Sequence, residues 1–386
     1  MLHFPRRPPR SALALLLAAG LFTAEAVAPA WAQEKDEVPR DAATNVLQPN
    51  GEKIRQLRKD EFSPRTDGQT FPFSPPVYGQ VAQVSKNDTV SLVSRYGEGS
   101  SLSADVQDSL VYFANGSYLE IADISDPTSP IERGRVLLPS QVQDVAVAGD
   151  YAYVADGTGG MRIVDVSTPT DPQEVSAIGV SIFSGNAVTG VAVREKYAYF
   201  SSENSGLQVL DVSNPSAPQA VGAFKSDSPS GITGEVAVAG EHVYIADYEE
   251  GLRVIDVSDP NNPQQVTVYK TADDDALDVT VTGNYAYVAN GQHGFYILDV
   301  SDPNNPQPIV EIPFASASVA TEGSYAYFVG TSHNISIFEV SDPADIEEIG
   351  YFEGLSDFQR TYEDFHGEIE VAGNHAYVAG GLEGYI

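Results

Sequence analysis

One tract recurs along this chain and limits what it can fold into: a short apolar run, an acidic residue, another aliphatic residue and a serine. It reads Ile121-Ala-Asp123-Ile-Ser125, Ile163-Val-Asp165-Val-Ser167 and Val209-Leu-Asp211-Val-Ser213. It continues as Val254-Ile-Asp256-Val-Ser258, Ile297-Leu-Asp299-Val-Ser301 and Ile337-Phe-Glu339-Val-Ser341, after a degenerate first copy, Val81-Ala-Gln83-Val-Ser85. Counting Gln83 as the first, successive acidic positions lie 40, 42, 46, 45, 43 and 40 residues apart. A unit of that size cannot bury its apolar faces alone and must stack on copies of itself. Four strands in roughly 40–45 residues is the make-up of a β-propeller blade.

Each unit divides into four strands. Residues 144–148 and 151–155 alternate in character and flank Gly149-Asp150, a dipeptide suited to a tight hairpin turn. Residues 161–167 form the third strand and residues 174–179 the fourth. Between them lies Thr168-Pro-Thr-Asp-Pro172, matched by Asp259-Pro-Asn-Asn-Pro263 and Asp302-Pro-Asn-Asn-Pro306. Proline fixes φ and offers no N–H, so the chain must leave the sheet there. Successive side chains of a strand point to opposite faces, and with no helical pattern present both faces need neighbouring blades to cover them.

The count predicts how the ring closes. First-and-second strand pairs begin near Ser103, Asp144, Gly190, Glu235, Asp278, Ser318 and Glu368; third-and-fourth pairs centre on Gln83, Asp123, Asp165, Asp211, Asp256, Asp299 and Glu339. The two sets are out of phase. The expectation is therefore an all-β, seven-bladed β-propeller over residues 78–386, closed by N-terminal strands three and four and C-terminal strands one and two in one shared blade. Ile386 is then a natural end, and no inter-blade face is left open.

The tracts Met161-Arg-Ile-Val-Asp-Val166 and Leu252-Arg-Val-Ile-Asp-Val257 resemble the LVIVD repeat of exported bacterial proteins, and the resemblance runs over about residues 80–386. It implies a β-propeller. It brings no defined activity and no catalytic motif to transfer.

The N-terminus predicts export. Arg6, Arg7 and Arg10 precede an apolar run over residues 12–22, and Ala30-Trp31-Ala32 supplies a small-x-small cleavage pattern. Residues 1–32 thus read as a signal peptide, removed before Gln33. The apolar run is too short to span a bilayer, which takes about 20 residues in a helix, so no membrane insertion is expected after cleavage. Residues 33–77, punctuated by Pro39, Pro49, Pro64, Pro72, Pro75 and Pro76, read as a largely disordered linker, with a short helix conceivable over residues 52–62. The expected address is the periplasm, the cell surface or the medium. The chain has no cysteine, so disulfides, a catalytic thiol and Cys-held metals are excluded. A formal charge of −33 repels nucleic acid and attracts cations or basic partners.

Strand one of a propeller blade lines the channel, and its first residue stands at one mouth. Asp144, Glu235, Asp278 and Glu368 occupy that position in four repeats, a ring of oxygen ligands that would suit Ca²⁺ better than Mg²⁺. An Asp at a strand start can equally cap backbone amides. The loops entering strand one and the turns between strands two and three share this face and carry the least repetitive residues: Tyr248, Glu249, His293, Phe358, Arg360, Tyr362 and His366. Positions that break a repeat are where binding is expected. The recurring Asp of each Asp-Val-Ser tract reads as structural, because an active site is not copied into every blade. No Gly-x-Ser-x-Gly elbow, phosphate loop or His-Glu-x-x-His motif is present.

These features favour a non-catalytic binding or scaffold module that recognises a protein or glycan partner through the irregular loop face, with Ca²⁺ as a possible structural ion. Two alternatives stand beside it. One is a hydrolase or lyase in which a channel-mouth cation activates water; the other is an ion-dependent surface or matrix protein whose acidity is itself the function. Fold alone does not choose between them.

Overall fold

The computed structural model describes residues 46–47, 53–56, 80–85, 89–95 and 101–379, except 184–185, 203–205, 227–233, 249, 271–275, 331–333 and 354–366. Within these the chain is almost entirely β. One 3-10 turn, Val180–Phe183, is the only helix among the described residues.

Six antiparallel sheets are each built from four consecutive strands. The first contains Ala104–Gln107, Leu110–Asn115, Tyr118–Asp123 and Ile131–Leu137. The second contains Asp144–Ala148, Tyr151–Ala155, Met161–Asp165 and Gln173–Ile178, within one or two residues of the bounds expected from the alternation. The third to sixth sheets start with Val188–Arg194, Val236–Ala239, Asp278–Thr282 and Ser316–Glu322 and follow the same order. A further, composite sheet joins Ile369–Ala372 and His375–Val378 to Gln80–Ser85 and Thr89–Arg95, with Gln80 opposite Val378 and Gln83 opposite His375. First strands of successive sheets lie side by side, and Ile369–Ala372 neighbours both Ser316–Glu322 and Ala104–Gln107. The arrangement is an all-β propeller.

Local chemistry explains the repeat. In the turn between strands one and two the leading residue has positive φ, and glycine supplies it at Gly149, Gly240, Gly283, Gly323 and Gly373. Asp108 and Glu195 take the same conformation, at φ 57° and 55°. Tyrosines at the third position of strand two, among them Tyr153, Tyr199, Tyr244, Tyr287 and Tyr327, are all buried. Each apolar cluster draws on two neighbouring sheets. The tightest contains Phe295 and Phe328, stacked at 3.7 Å between centroids, with Phe338 edge-on to both. Burying each such ring contributes roughly 1.5–3 kcal/mol. Among the described residues the core is therefore spread between neighbouring blades.

The outer rim is built differently. Strand four carries a bulge in every sheet, as at Ile163/Val164, Val209/Leu210 and Val81/Ala82. The bulge bends strand four, and its next residue lies under the proline turn of the following blade. A Cβ on Gly222 would stand 2.1 Å from Pro260 O, and one on Gly134 2.5 Å from Pro169 O. Ser176 Oγ donates to Pro215 O at 2.7 Å. The proline turns end strands, as expected, and also wedge one blade against the next. The recurring Asp before each turn is structural: Asp165 accepts from Ser167 N at 3.0 Å and Oγ at 2.6 Å, and Asp211 from Ser213 at 2.9 and 2.5 Å.

Two findings fall within the segment read as linker. Val46–Leu47 and Lys53–Gln56 are short strands, and the second adds in parallel to Gln307–Ile312 at the outer edge of the fifth sheet, with Arg55 opposite Val310. Residues 53–56 are thus strand where a helix was conceivable. An edge strand leaves unpaired N–H and C=O groups, and pairing satisfies them whatever the added side chains are. The remainder of residues 33–77 and the whole of residues 1–32 lie outside the described residues.

Candidate functional site at the channel mouth

The first strand of each blade has a hydrogen-bonded neighbour on one side only, strand two. Amides on its free edge face the adjacent blade and need acceptors. The residue at the equivalent mouth position of the preceding blade, at or near the start of its strand one, supplies them. Ser103 Oγ accepts from Val145 N at 3.1 Å, and Asp144 Oδ2 from Val191 N at 2.6 Å. Asp278 Oδ2 accepts from Val319 N at 2.8 Å, Ser318 Oγ from Ile369 N at 3.0 Å and Glu368 Oε2 from Ala104 N at 3.2 Å. Serine and acid thus do the same work in different blades. Gly190 has no side chain to do so, and a Cβ there would lie 2.8 Å from Ser201 Oγ and 3.0 Å from Gly234 O.

The carboxylates are more than staples. Asp144, 2% exposed, also accepts from Ser103 Oγ at 2.8 Å and from Val145 N at 2.7 Å. Glu235 departs from the pattern and hydrogen-bonds Asp144 across the mouth. Asp144, Glu235 and Glu368 each offer an oxygen within 4.8 Å of the other two, a spread one ion with bonds of about 2.4 Å can bridge. Three of the four expected ligands are therefore brought together. Asp278 stays outside the triplet and is held by Ser318 Oγ at 2.6 Å.

Electrostatics follow from crowding. Burial first, then the charges of Asp144, Glu368 and Asp278, hold the Glu235 carboxyl well above its ordinary range. Burial with Asp144, Glu370 and Asp278 does the same to Glu368. Burial raises Asp144 against the pull of its hydrogen bonds, and pushes Asp278 up to about 6. Two residues further along strand one a second acidic pair stands, Asp105 at about 6 and Glu370 at about 8, raised by burial and, for Glu370, next by Asp105. Sequence reading missed this layer, although the Ser103-x-Asp105 and Glu368-x-Glu370 spacings place it on the same strand face as the mouth residues. Such a stack must keep protons or hold a cation.

Above the carboxylates opens a cavity of about 370 Å³. Glu235, Asp278, Ser318 and Glu368 line it, with Gln141, Gln143 and Tyr248 from irregular segments and Thr189 from the strand Val188–Arg194. Tyr248, 48% exposed, sits on a turn anchored by the buried pair Asp247 and Arg253, whose Nη2 is 2.6 Å from Oδ2. Asp156 and Arg162 repeat that anchor in the second sheet at 3.2 Å. His293 is exposed on the corresponding turn of the fifth sheet and does not line the cavity. Glu249, Phe358, Arg360, Tyr362 and His366 lie outside the described residues.

Blades and repeat register define a β-propeller assembled from sequence repeats. The sequence model of the LVIVD repeat matches residues 98–137, 139–178, 185–226, 230–271 and 273–310, just over half of the chain. The chain belongs to the LVIVD repeat family. No curated protein matches it. Among solved structures it is similar to the computationally designed Ika8 protein, at 11% identity and TM-score 0.55, over 78% of this chain and 92% of that one. It is also similar to a protein from Lactobacillus plantarum, at 10% identity and TM-score 0.57, over 72% and 99%. Likeness at such identities concerns the fold alone.

Proposed function

We propose that this protein is an exported, non-catalytic binding propeller that recognises a protein or glycan partner at the channel-mouth face, with Ca²⁺ held by Asp144, Glu235 and Glu368. The observation that carries the reading is the cavity itself. It is lined by the residue just before each mouth position, from Leu102 to Gly367, whose identity varies from blade to blade, and by Gln141 and Tyr248, with Glu235, Asp278, Ser318 and Glu368 beside them. Most mouth carboxylates are engaged by backbone amides, which favours a structural over a catalytic role for them. The composite sheet supports a closed, seven-bladed ring, because its two C-terminal strands supply a first and second strand to N-terminal third and fourth strands. The signal-peptide pattern supports export, and N-terminal sequencing of the mature protein should begin at Gln33.

Calorimetric titration of chelator-stripped protein with Ca²⁺ tests the ion site. Saturable binding is expected, stronger at higher pH because the carboxyls must release protons, and weakened at least tenfold in Glu235→Gln. Binding unchanged in that variant would remove the ion from the site. Partner capture from the exported fraction tests the surface: Tyr248→Glu should lose the partner that the wild-type protein retains.

A further inference from the structure

The strand pair that joins the chain's two ends differs from its counterparts in one respect. In each blade the first residue of strand two lies opposite the last residue of strand three: Tyr151 opposite Asp165, Tyr197 opposite Asp211, Tyr285 opposite Asp299, Tyr325 opposite Glu339. Histidine takes the first position twice. In the fourth sheet His242 lies opposite the acid Asp256. In the composite sheet His375 lies opposite Gln83, the one copy of the recurring tract that has lost its acid.

We propose that the pairing of Gln80–Ser85 with His375–Val378 is an acid-sensitive clasp, opened by protonation of His375 and leaving the rest of the propeller folded. This rests on reading the composite sheet as the closure of the ring. His375 is partly buried, and its other cross-strand neighbour, Ala372, is neutral. The acids on elements packed against it are engaged elsewhere. Glu370, on the adjacent strand, faces Asp105 of the first sheet. Glu322, of the sixth sheet, accepts from Gly373 N at 3.0 Å. Asp108 stands on the tight turn of the first sheet, and Gln80–Ser85 carries no titratable side chain. Burial therefore acts on His375 without an opposing charge and holds its imidazole below the ordinary value.

The sign follows. A histidine kept neutral by folding contributes stability that is lost as pH falls from its unfolded value, near 6.5, through its lower folded value. The loss is local because only four residue pairs connect the two chain ends in this sheet. Their opening requires no rupture of any sheet built from consecutive strands. The fourth sheet has the same histidine position with a carboxylate opposite and serves as an internal control.

Hydrogen exchange of the mature protein, corrected for intrinsic rate, tests the clasp at pH 7.5 and 5.5. Amides of Gln80–Ser85 and His375–Val378 should lose protection together on acidification, by about tenfold for each pH unit by which folding lowers the imidazole pKa. The strand His242–Asp247 should hold. His375→Tyr, the residue most sister blades use, should abolish the loss. Gln83→Asp should move it to lower pH by restoring the counter-charge. Equal loss in His375→Tyr and wild type would overturn the proposal. Lack of protection in both strands already at pH 7.5 would overturn the closure reading on which it stands.

Discussion

Asp144 and Asp165 belong to the same blade and meet opposite fates. At the inner wall, Asp144 is buried among like charges and its carboxyl is held above its ordinary range. At the outer rim, Asp165 faces solvent, and Ser167 Oγ and N hold its carboxyl below that range. Asp211 and Asp256 at the rim follow Asp165; Asp278 and Asp105 inside follow Asp144. One residue type therefore caps a turn at the rim and stores electrostatic stress at the axis. What differs is the number of amides and the amount of water each can reach. The rim keeps its shape by cheap, local, repeated contacts. The wall does so by contacts between blades, at positions where the ring also concentrates charge.

The comparison breaks most readily at Asp144. Asp144→Ala would leave Ser103 Oγ and Val191 N short of an acceptor, and should cost about 3 kcal/mol in urea unfolding. Asp165→Ala removes only an exposed turn cap and should cost much less. Equal losses would mean that position in the ring does not matter.

At the rim the sensitive positions are the glycines under the proline wedges. Gly222→Ala places a methyl against Pro260 O and Pro263 Cδ, and should cost about 1–3 kcal/mol. A neutral result would show that the blades are not wedged there.

Stability against pH sharpens the contrast further. Carboxyls raised by folding favour the native state while protonated. In chelated protein their contribution should fade as pH rises from about 4, through about 6 for Asp105 and Asp278, to about 8 for Glu370. The rim acids act in the opposite sense, and lose their contribution only as pH falls below the ordinary carboxylate value near 3.8. Thermal melts between pH 4 and 8 should therefore show a falling midpoint, and Glu370→Gln should flatten its upper part. A midpoint that rises over this window would contradict the inner-wall electrostatics. Local opening at His375 runs against the global trend, which is why exchange data and not melting must report it.

Much of the fold was legible in advance because it is periodic. Tyr151/Tyr153 alternation, the Gly149-Asp150 turn and the proline turns each state a local preference that the structure adopts. The candidate site was half legible. Asp144, Glu235 and Glu368 could be aligned by repeat position, but Asp278 has the same alignment and stands outside the triplet, because Ser318 and Val319 hold it. Ser103 and Ser318 align there too, and their role as staples could not be told from their sequence. Asp105 and Glu370 were missed although strand alternation points to them, since an acid in one or two repeats looks like any solvated residue.

By itself the sequence determined the repeat, the strand order within it, the turns and the phase offset between the two ends of the chain. These follow from short-range chemistry: which residues accept positive φ, which lack an N–H, which alternate. Only the tertiary structure decided which acids crowd, which blade amides they bind, where the cavity opens, and that residues 53–56 join a sheet edge. Those outcomes depend on residues tens to hundreds of positions apart meeting around one axis. Burial and like charge then act on whatever the ring has brought together.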